Sequence, residues 1–164
     1  MTFTSSVKTC FSKYFTFSGR ASRSEFWWFV LFIEVVAIIL MVIDAALFGA
    51  DAADPETGWN YPVISLFRLA TFLPLLAAGW RRLHDTGRPG RYLLLPLLLT
   101  LVFLVILVIG VSAIHEHSEG AAAGFSWIGL GIYLIVQGAV ALLMIWWLTR
   151  PSEIGENQYG PPPE

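Results

Sequence analysis

Four long apolar segments dominate the chain, and polar loops separate them. The segments span Phe26–Phe48, Tyr61–Gly79, Tyr92–Ala113 and Phe125–Leu148. A helix needs about 20 residues to cross the roughly 30 Å of hydrocarbon in a bilayer, and each segment reaches that length or comes close to it. The pattern therefore predicts an all-α integral membrane protein with four transmembrane helices.

The charges in the loops alternate in sign along the chain. Nine of the ten Lys and Arg residues lie before the first segment, between the second and third, or after the fourth. The two remaining loops carry acidic residues instead, at Asp51, Asp54, Glu56, Glu116 and Glu119. Because basic residues concentrate on the cytoplasmic side, we expect both termini and the middle loop to face the cytoplasm.

Composition agrees with a membrane location. Hydrophobic residues make up 56% of the 164 residues and charged residues only 13%, which is too much apolar surface for a water-soluble fold of this size. We expect a cytoplasmic amphipathic segment over residues 1–24, a four-helix transmembrane domain over 25–150 and a cytoplasmic tail over 151–164. Cys10 is the only cysteine, so no internal disulfide is expected.

The segment before the first span has the spacing of an amphipathic helix. Its apolar side chains recur at helical intervals, at Val7, Cys10, Phe11, Tyr14 and Phe15. This pattern predicts a short interfacial helix on the inner leaflet. Packing of the same segment against the rest of the protein is the alternative. Ser22, followed three residues later by Glu25, predicts a capping box that opens the first span.

Arg68 lies inside the second segment, where a charge is costly. Counted at ~1.5 Å per residue from the cytoplasmic ends, Glu34 lies about 12 Å deep and Arg68 about 16 Å deep. Because they lie at similar depth on consecutive antiparallel helices, we expect Glu34 and Arg68 to form an intramembrane polar pair. Asp44, nearer the outer interface, is the alternative partner. The pair is interpreted either as a structural ion pair or as part of a pathway.

Prolines mark the second and third segments. Asn60 with Pro62 is a helix-start signal for the second span. Pro74 and Pro96 lie further inside the second and third spans, and we expect each of them to kink its helix.

The richest chemistry lies in the middle loop, over residues 81–91, which contains four arginines, His84 and Asp85. Planar arginine side chains suit bidentate contacts with phosphate or carboxylate, so one interpretation is the binding of anionic lipid head groups or a protein partner. The other is a basic loop that only sets topology, with Asp85 balancing an arginine. Catalysis by His84 and Asp85 is least favoured, since sequence neighbours on a helix point apart.

Three short motifs resemble a known family. Residues 17–27 read FSGRASRSEFW, residues 81–88 read RRLHDTGR and residues 155–161 read GENQYGP. In this order they resemble the three signatures of the domain-of-unknown-function 805 family of bacterial inner-membrane proteins. The resemblance implies a small multi-pass protein of the bacterial plasma membrane, and it brings no catalytic residue with it.

All three motifs are expected on the cytoplasmic face, where we predict a polar cap of paired arginines and carboxylates with the C-terminal motif folded back over it. A disordered tail is the alternative. The acidic members expected in this cap are Glu25, Asp85, Glu153 and Glu156. The predicted binding residues of this face are Arg20, Arg23, Arg81, Arg82, His84, Asp85 and Arg88.

These features favour a non-enzymatic membrane component that binds anionic lipid head groups or a protein partner and forms homo-oligomers. The alternative function is a small oligomeric transporter or channel protomer that uses Glu34 and Arg68. His115, Glu116, His117 and Glu119 offer metal-ligating groups, but their spacing matches no strong zinc pattern. We expect no metal, no cofactor, no catalytic residue and no nucleic-acid partner.

Overall fold

The structure is a computed structural model, and it describes residues 1–48, 61–115 and 119–163. The described chain forms five α-helices: α1 (Phe3–Ser12), α2 (Arg23–Phe48), α3 (Pro62–Asp85), α4 (Leu95–His115) and α5 (Glu119–Thr149). A 3-10 helix over Gly90–Leu94 leads into α4. Several residues that the sequence singled out lie outside the described residues, namely Asp51–Glu56, Asn60, Glu116 and His117.

Four helices in the described part of the chain are long and apolar enough to cross a membrane. Their spans are Arg23–Phe48, Pro62–Asp85, Gly90–Ser112 and Trp127–Thr149. This confirms the prediction of an all-α protein with four transmembrane helices.

The end of the second span differs from the expectation. α3 continues past Gly79 to Asp85, so that the residues from Arg81 to Asp85 belong to a helix and not to a loop. The helix ends where Gly87 takes a φ of +72°, a left-handed conformation that glycine adopts without strain.

The described chain separates into two compact units. The first comprises residues 1–90 and the segment that begins at Pro151, and the second comprises Arg91–Arg150. All three family motifs belong to the first unit. The division of the chain into residues 1–24, 25–150 and 151–164 by membrane side stays a prediction.

In the first unit, α1 packs along the start of α2. Phe3 makes an edge-to-face contact with Trp28, with ring centroids 5.8 Å apart, and Phe11 makes one with Phe29 at 5.4 Å. Cys10 is fully buried in α1. The predicted amphipathic helix is therefore present, and its apolar side packs against protein.

Pro74 lies inside α3 without ending it. Because a proline has no N–H, the carbonyl of Ala70, four residues earlier, loses its helical donor. The Tyr14 hydroxyl donates a hydrogen bond to this carbonyl. An unpaired carbonyl is costly where water is absent, so Tyr14 stabilises α3 at the position where the sequence predicted a kink.

Asp44 connects the far end of α2 to the start of α3. Its two carboxylate oxygens accept hydrogen bonds from the backbone N–H groups of Val63, at 3.2 Å, and Ile64, at 2.8 Å. Tyr61, which precedes α3, makes no side-chain cap hydrogen bond of its own. Asp44 is fully buried and caps α3 from the neighbouring helix, where the helix dipole also favours a negative charge.

The second unit is the helix pair α4 and α5. The hydroxyls of Thr100 and Tyr133 lie 3.0 Å apart, and the Tyr133 ring stacks on Phe103 with centroids 4.3 Å apart. The Gln137 side-chain amide donates to the Pro96 carbonyl at 3.3 Å. Pro96 lies in the first turn of α4, where a missing N–H costs no helical hydrogen bond, and not inside the helix as expected.

We expect Asp44→Ala to lower the free energy of unfolding by about 1–2 kcal/mol, because α3 loses its cap. Asp44→Asn keeps an acceptor at the same place and should cost less. Thermal melting of the protein purified in mild detergent measures both effects. Identical melting of Asp44→Ala and wild type would contradict the capping role.

Candidate functional site

Asp85, the last residue of α3, is the centre of a buried polar cluster. Its carboxylate lies 2.9 Å from the Nε of Arg20 and also accepts hydrogen bonds from the Arg82 guanidinium and the Ser152 hydroxyl. The side chains of Arg20, Arg82 and Asp85 are all fully buried. The donors come from the segment before α2, from α3 itself and from the C-terminal segment. Asp85 therefore connects three parts of the chain.

Arg20 holds the C-terminal segment through backbone carbonyls. Its Nη2 donates to the Glu153 carbonyl at 2.7 Å, and its Nη1 donates to the carbonyls of Gly155, at 2.6 Å, and Gly160, at 3.4 Å. A guanidinium has five N–H donors and loses its water on burial. The carbonyls of the C-terminal segment replace that water.

The same segment also bonds to the end of α3. The Glu153 N–H donates to the Asp85 carbonyl at 2.9 Å, and the Asn157 side-chain amide donates to the His84 carbonyl at 3.0 Å. These carbonyls belong to the last helical turn, where the regular hydrogen bonds of the α-helix end. The Tyr159 ring stacks on His84 with centroids 3.8 Å apart. The C-terminal motif thus folds back over α3, as predicted, and does not form a disordered tail.

A separate buried ion pair joins the start of α2 to α3. The Nη2 of Arg81 lies 3.2 Å from the Oε1 of Glu25, and both side chains are buried. Ser22 accepts a hydrogen bond from the Glu25 N–H at 3.1 Å and caps α2, as predicted. The Glu25 carboxylate pairs with Arg81, whereas the predicted capping box would turn it back towards Ser22.

Cys10 lies beside the Glu25–Arg81 pair. Its Sγ is 4.0 Å from the Oε1 of Glu25. Burial, and then the negative charge of Glu25, raise the pKa of the Cys10 thiol to about 12. The side chain is therefore a buried neutral thiol. We call the three buried ion pairs with their contacts the polar cap, formed by Arg20, Glu25, Arg81, Arg82, Asp85 and Ser152.

The buried charges of the polar cap do not cancel. Three arginines, at positions 20, 81 and 82, face the two carboxylates of Glu25 and Asp85. The excess positive charge lies at the C-terminal end of α3, where backbone carbonyls carry partial negative charge. The carbonyls that Arg20 contacts in the C-terminal segment add to this effect.

Two glycines allow the chain to turn at the polar cap. Gly87 has a positive φ, which a residue with a side chain rarely adopts. Gly90 packs against Trp80, and a Cβ at this glycine would lie 2.2 Å from the indole ring. Any side chain at Gly90 would therefore push the loop away from α3.

The predicted binding residues fall into two environments. Those buried in or beside the polar cap are Arg20, Arg81, Arg82, His84 and Asp85. Arg23 is exposed in the first turn of α2. Arg88 is partly exposed, and its guanidinium donates to the Thr86 carbonyl at 3.0 Å. Arg23 and Arg88 are thus the members of the set that reach the surface.

The acidic residues expected in the polar cap also fall into two groups, those that pair with arginines and those that do not. Glu25 and Asp85 pair with arginines. The Glu153 carboxylate accepts from the Asn157 amide at 2.8 Å, and Glu156 is exposed. Sequence reasoning gave Asn157 no role, although it lies within the third motif. The stacking of Tyr159 on His84 was missed in the same way, because only the fold brings the two rings together.

The contacts of the polar cap hold segments of the chain together. His84 stacks on Tyr159 and its Nδ1 lies 3.1 Å from the Gly19 carbonyl, whereas Asp85 bonds arginines. The two side chains therefore do not form an acid–base pair. Across residues 1–48, 61–112 and 127–163, no three His, Cys, Asp or Glu side chains cluster as metal ligands would.

The Glu34–Arg68 pair is separate from the polar cap. The Nη2 of Arg68 lies 3.8 Å from the Oε2 of Glu34. More than half of each side chain is exposed, at 57% for Arg68 and 55% for Glu34. Glu34, and not the helix-capping Asp44, is therefore the acidic residue beside Arg68.

We expect Asp85→Ala to lower the free energy of unfolding by about 3–5 kcal/mol, because it leaves two buried arginines without their carboxylate. Thermal melting in mild detergent measures the loss. Glu156→Ala is the matched control, since it removes an exposed carboxylate from the C-terminal segment and should melt like wild type. Equal melting of the two variants would contradict a structural role for the polar cap.

Comparisons with known proteins agree with this architecture. The family model described as protein of unknown function (DUF805) matches residues 14–161. Inner membrane protein YhaI of Escherichia coli (strain K12) is 44% identical over 96 residues, which cover 58% of this chain and 73% of YhaI. Inner membrane protein YhaH of the same strain is 34% identical over 100 residues, which cover 61% of this chain and 78% of YhaH.

No solved structure matches the chain. The relatives are inner-membrane proteins, and four described helices of this chain are able to span a membrane. The chain is thus a multi-pass inner-membrane protein, and it belongs to the DUF805 family of proteins of unknown function.

Proposed function

We propose that the protein is a non-enzymatic membrane component that binds anionic lipid head groups at the start of α2. The observation that carries the proposal is the exposure of Arg23. Arg20, Arg81 and Arg82 are occupied inside the polar cap, whereas Arg23 presents its guanidinium at the surface. In this proposal the buried arginines position the surface and Arg23 contacts the lipid.

The surface beside Arg23 combines a cation with aromatic and apolar groups. Ser24, Trp27, Trp28 and Leu31 line a shallow recess of about 240 Å³. Arg23 precedes Trp27 by one helical turn, so the two side chains are neighbours on the surface of α2. Tryptophan is typical of the membrane interface, and a guanidinium matches a phosphate group. This combination fits the phosphate and the upper acyl chain of a phospholipid.

A bound phosphate would also relieve an unfavourable charge. Arg23 is the first residue of α2, and the positive end of a helix dipole disfavours a cation there. An anion at the same place has the opposite effect, since exposed backbone N–H groups and the dipole both attract it. Arg23 and the helix start therefore favour the same ligand charge.

The polar cap keeps this surface in a fixed conformation. The Ala21 N–H donates to the Arg81 carbonyl at 3.1 Å, and Ser22 caps α2. Both contacts lie immediately before Arg23. In the expected topology the surface faces the cytoplasmic leaflet, where anionic lipids attract Lys and Arg. Lys8, exposed on α1, adds to the positive charge of the N-terminal segment.

We expect Arg23→Gln to reduce the retention of phosphatidylglycerol several-fold. Native mass spectrometry of the detergent-purified protein, with equal amounts of phosphatidylglycerol and phosphatidylethanolamine added, measures retention of each lipid. Arg91→Gln is the matched control, since it removes another exposed arginine in the second unit and should leave retention unchanged. Equal phosphatidylglycerol retention by wild type and both variants would contradict the proposal and favour a protein partner.

A further inference from the structure

The Glu34–Arg68 ion pair lies at the middle of the membrane-spanning part of α2. Glu34 comes nine residues after Glu25 and ten residues before Asp44, which places it about 14 Å and about 15 Å along the helix from these two buried polar groups. The hydrocarbon of a bilayer is about 30 Å thick. Neither the polar cap at one end of α2 nor the Asp44 cap at the other reaches this pair.

Among the described residues, the contact between Glu34 and Arg68 satisfies neither charge well. The distance of 3.8 Å between the Nη2 of Arg68 and the Oε2 of Glu34 permits electrostatic attraction but is too long for a hydrogen bond. More than half of each side chain is exposed. Charged side chains in membrane spans face protein or water, because contact with lipid tails is costly. A surface that carries this pair therefore requires a polar partner.

We propose that the surface around Glu34 and Arg68 is the interface between two copies of this chain. In a two-fold symmetric dimer the same surface of each subunit meets itself. A surface with one acid and one base is complementary to itself under this symmetry, so Glu34 contacts Arg68 of the partner subunit and Arg68 contacts Glu34 of the partner subunit. The four charges sum to zero, and each group gains a second neighbour of opposite charge.

The apolar residues around Glu34 have the spacing of a helix–helix contact. Leu31, Glu34, Ile38 and Met41 follow one another at intervals of three, four and three residues, as in left-handed helix packing. The three apolar members are exposed, Ile38 most of all at 59%. The stripe thus supplies an apolar contact on both sides of Glu34, and a second α2 with the same stripe fits it.

Disulfide cross-linking in native membranes tests the interface without changing a charge. In a Cys10→Ala background, Ile38→Cys should form a disulfide-linked dimer on mild oxidation. Ile39→Cys is the matched control, since Ile39 is also exposed but lies about 140° around the helix from Glu34. Monomers at both positions, or equal cross-linking at both, would overturn the proposal.

Charge reversal tests the ion pairs themselves. Glu34→Arg gives a subunit with two positive charges at this surface, and Arg68→Glu gives one with two negative charges. Each should dimerise at least ten-fold less than wild type when expressed alone, whereas the two, carrying different affinity tags, should co-purify when expressed together. The double variant Glu34→Arg/Arg68→Glu should dimerise like wild type. Failure of the two single variants to co-purify, with the double variant dimeric, would overturn the intersubunit pairing.

Discussion

Asp85 accepts hydrogen bonds from three parts of the chain, and the polar cap depends on this carboxylate. A buried carboxylate is stable only if charged or polar donors surround it. Arg20, Arg82 and Ser152 supply those donors from the segment before α2, from α3 and from the C-terminal segment. Through Arg20, which also bonds the C-terminal carbonyls, this buried charge helps to join regions that are up to 140 residues apart along the chain, as in the bond from Arg20 to Gly160.

The same constraint separates the arginines by role. An arginine in the polar cap is held by carboxylates and carbonyls, so it contributes to the fold and is not available to a ligand. An arginine just outside the cap, such as Arg23, is exposed. The arginines of the family motifs therefore serve two roles: most are buried in the polar cap, and a few reach the surface. The Glu34–Arg68 pair is more than half exposed, and we propose that it gains charged neighbours from a second copy of the chain.

Hydropathy and the positive-inside pattern were enough to predict the four spans, since the length and polarity of each segment decide whether it crosses a bilayer. They could not predict that α3 continues to Asp85, because charged residues usually end a span and only the buried pairs of the polar cap make the longer helix favourable. The grouping of arginines with carboxylates was predicted, but which groups pair depends on the fold. The hydrogen bond from Tyr14 to Ala70 shows what the sequence leaves open. Pro74 indicates that the Ala70 carbonyl lacks its helical donor, but only the fold shows that Tyr14 replaces it.

Hydrogen–deuterium exchange of the C-terminal segment, residues 152–160, tests the polar cap most directly. The structure bonds the backbone N–H of Glu153 to Asp85, that of Tyr159 to the Asn157 side chain and that of Gly160 to the Asn157 carbonyl. In the detergent-purified wild type, peptides that cover these amides should exchange far more slowly than a free peptide of the same sequence. Exchange at the rate of the free peptide would contradict the account, because the hydrogen bonds of a segment that Arg20 and Asp85 hold should protect these amides.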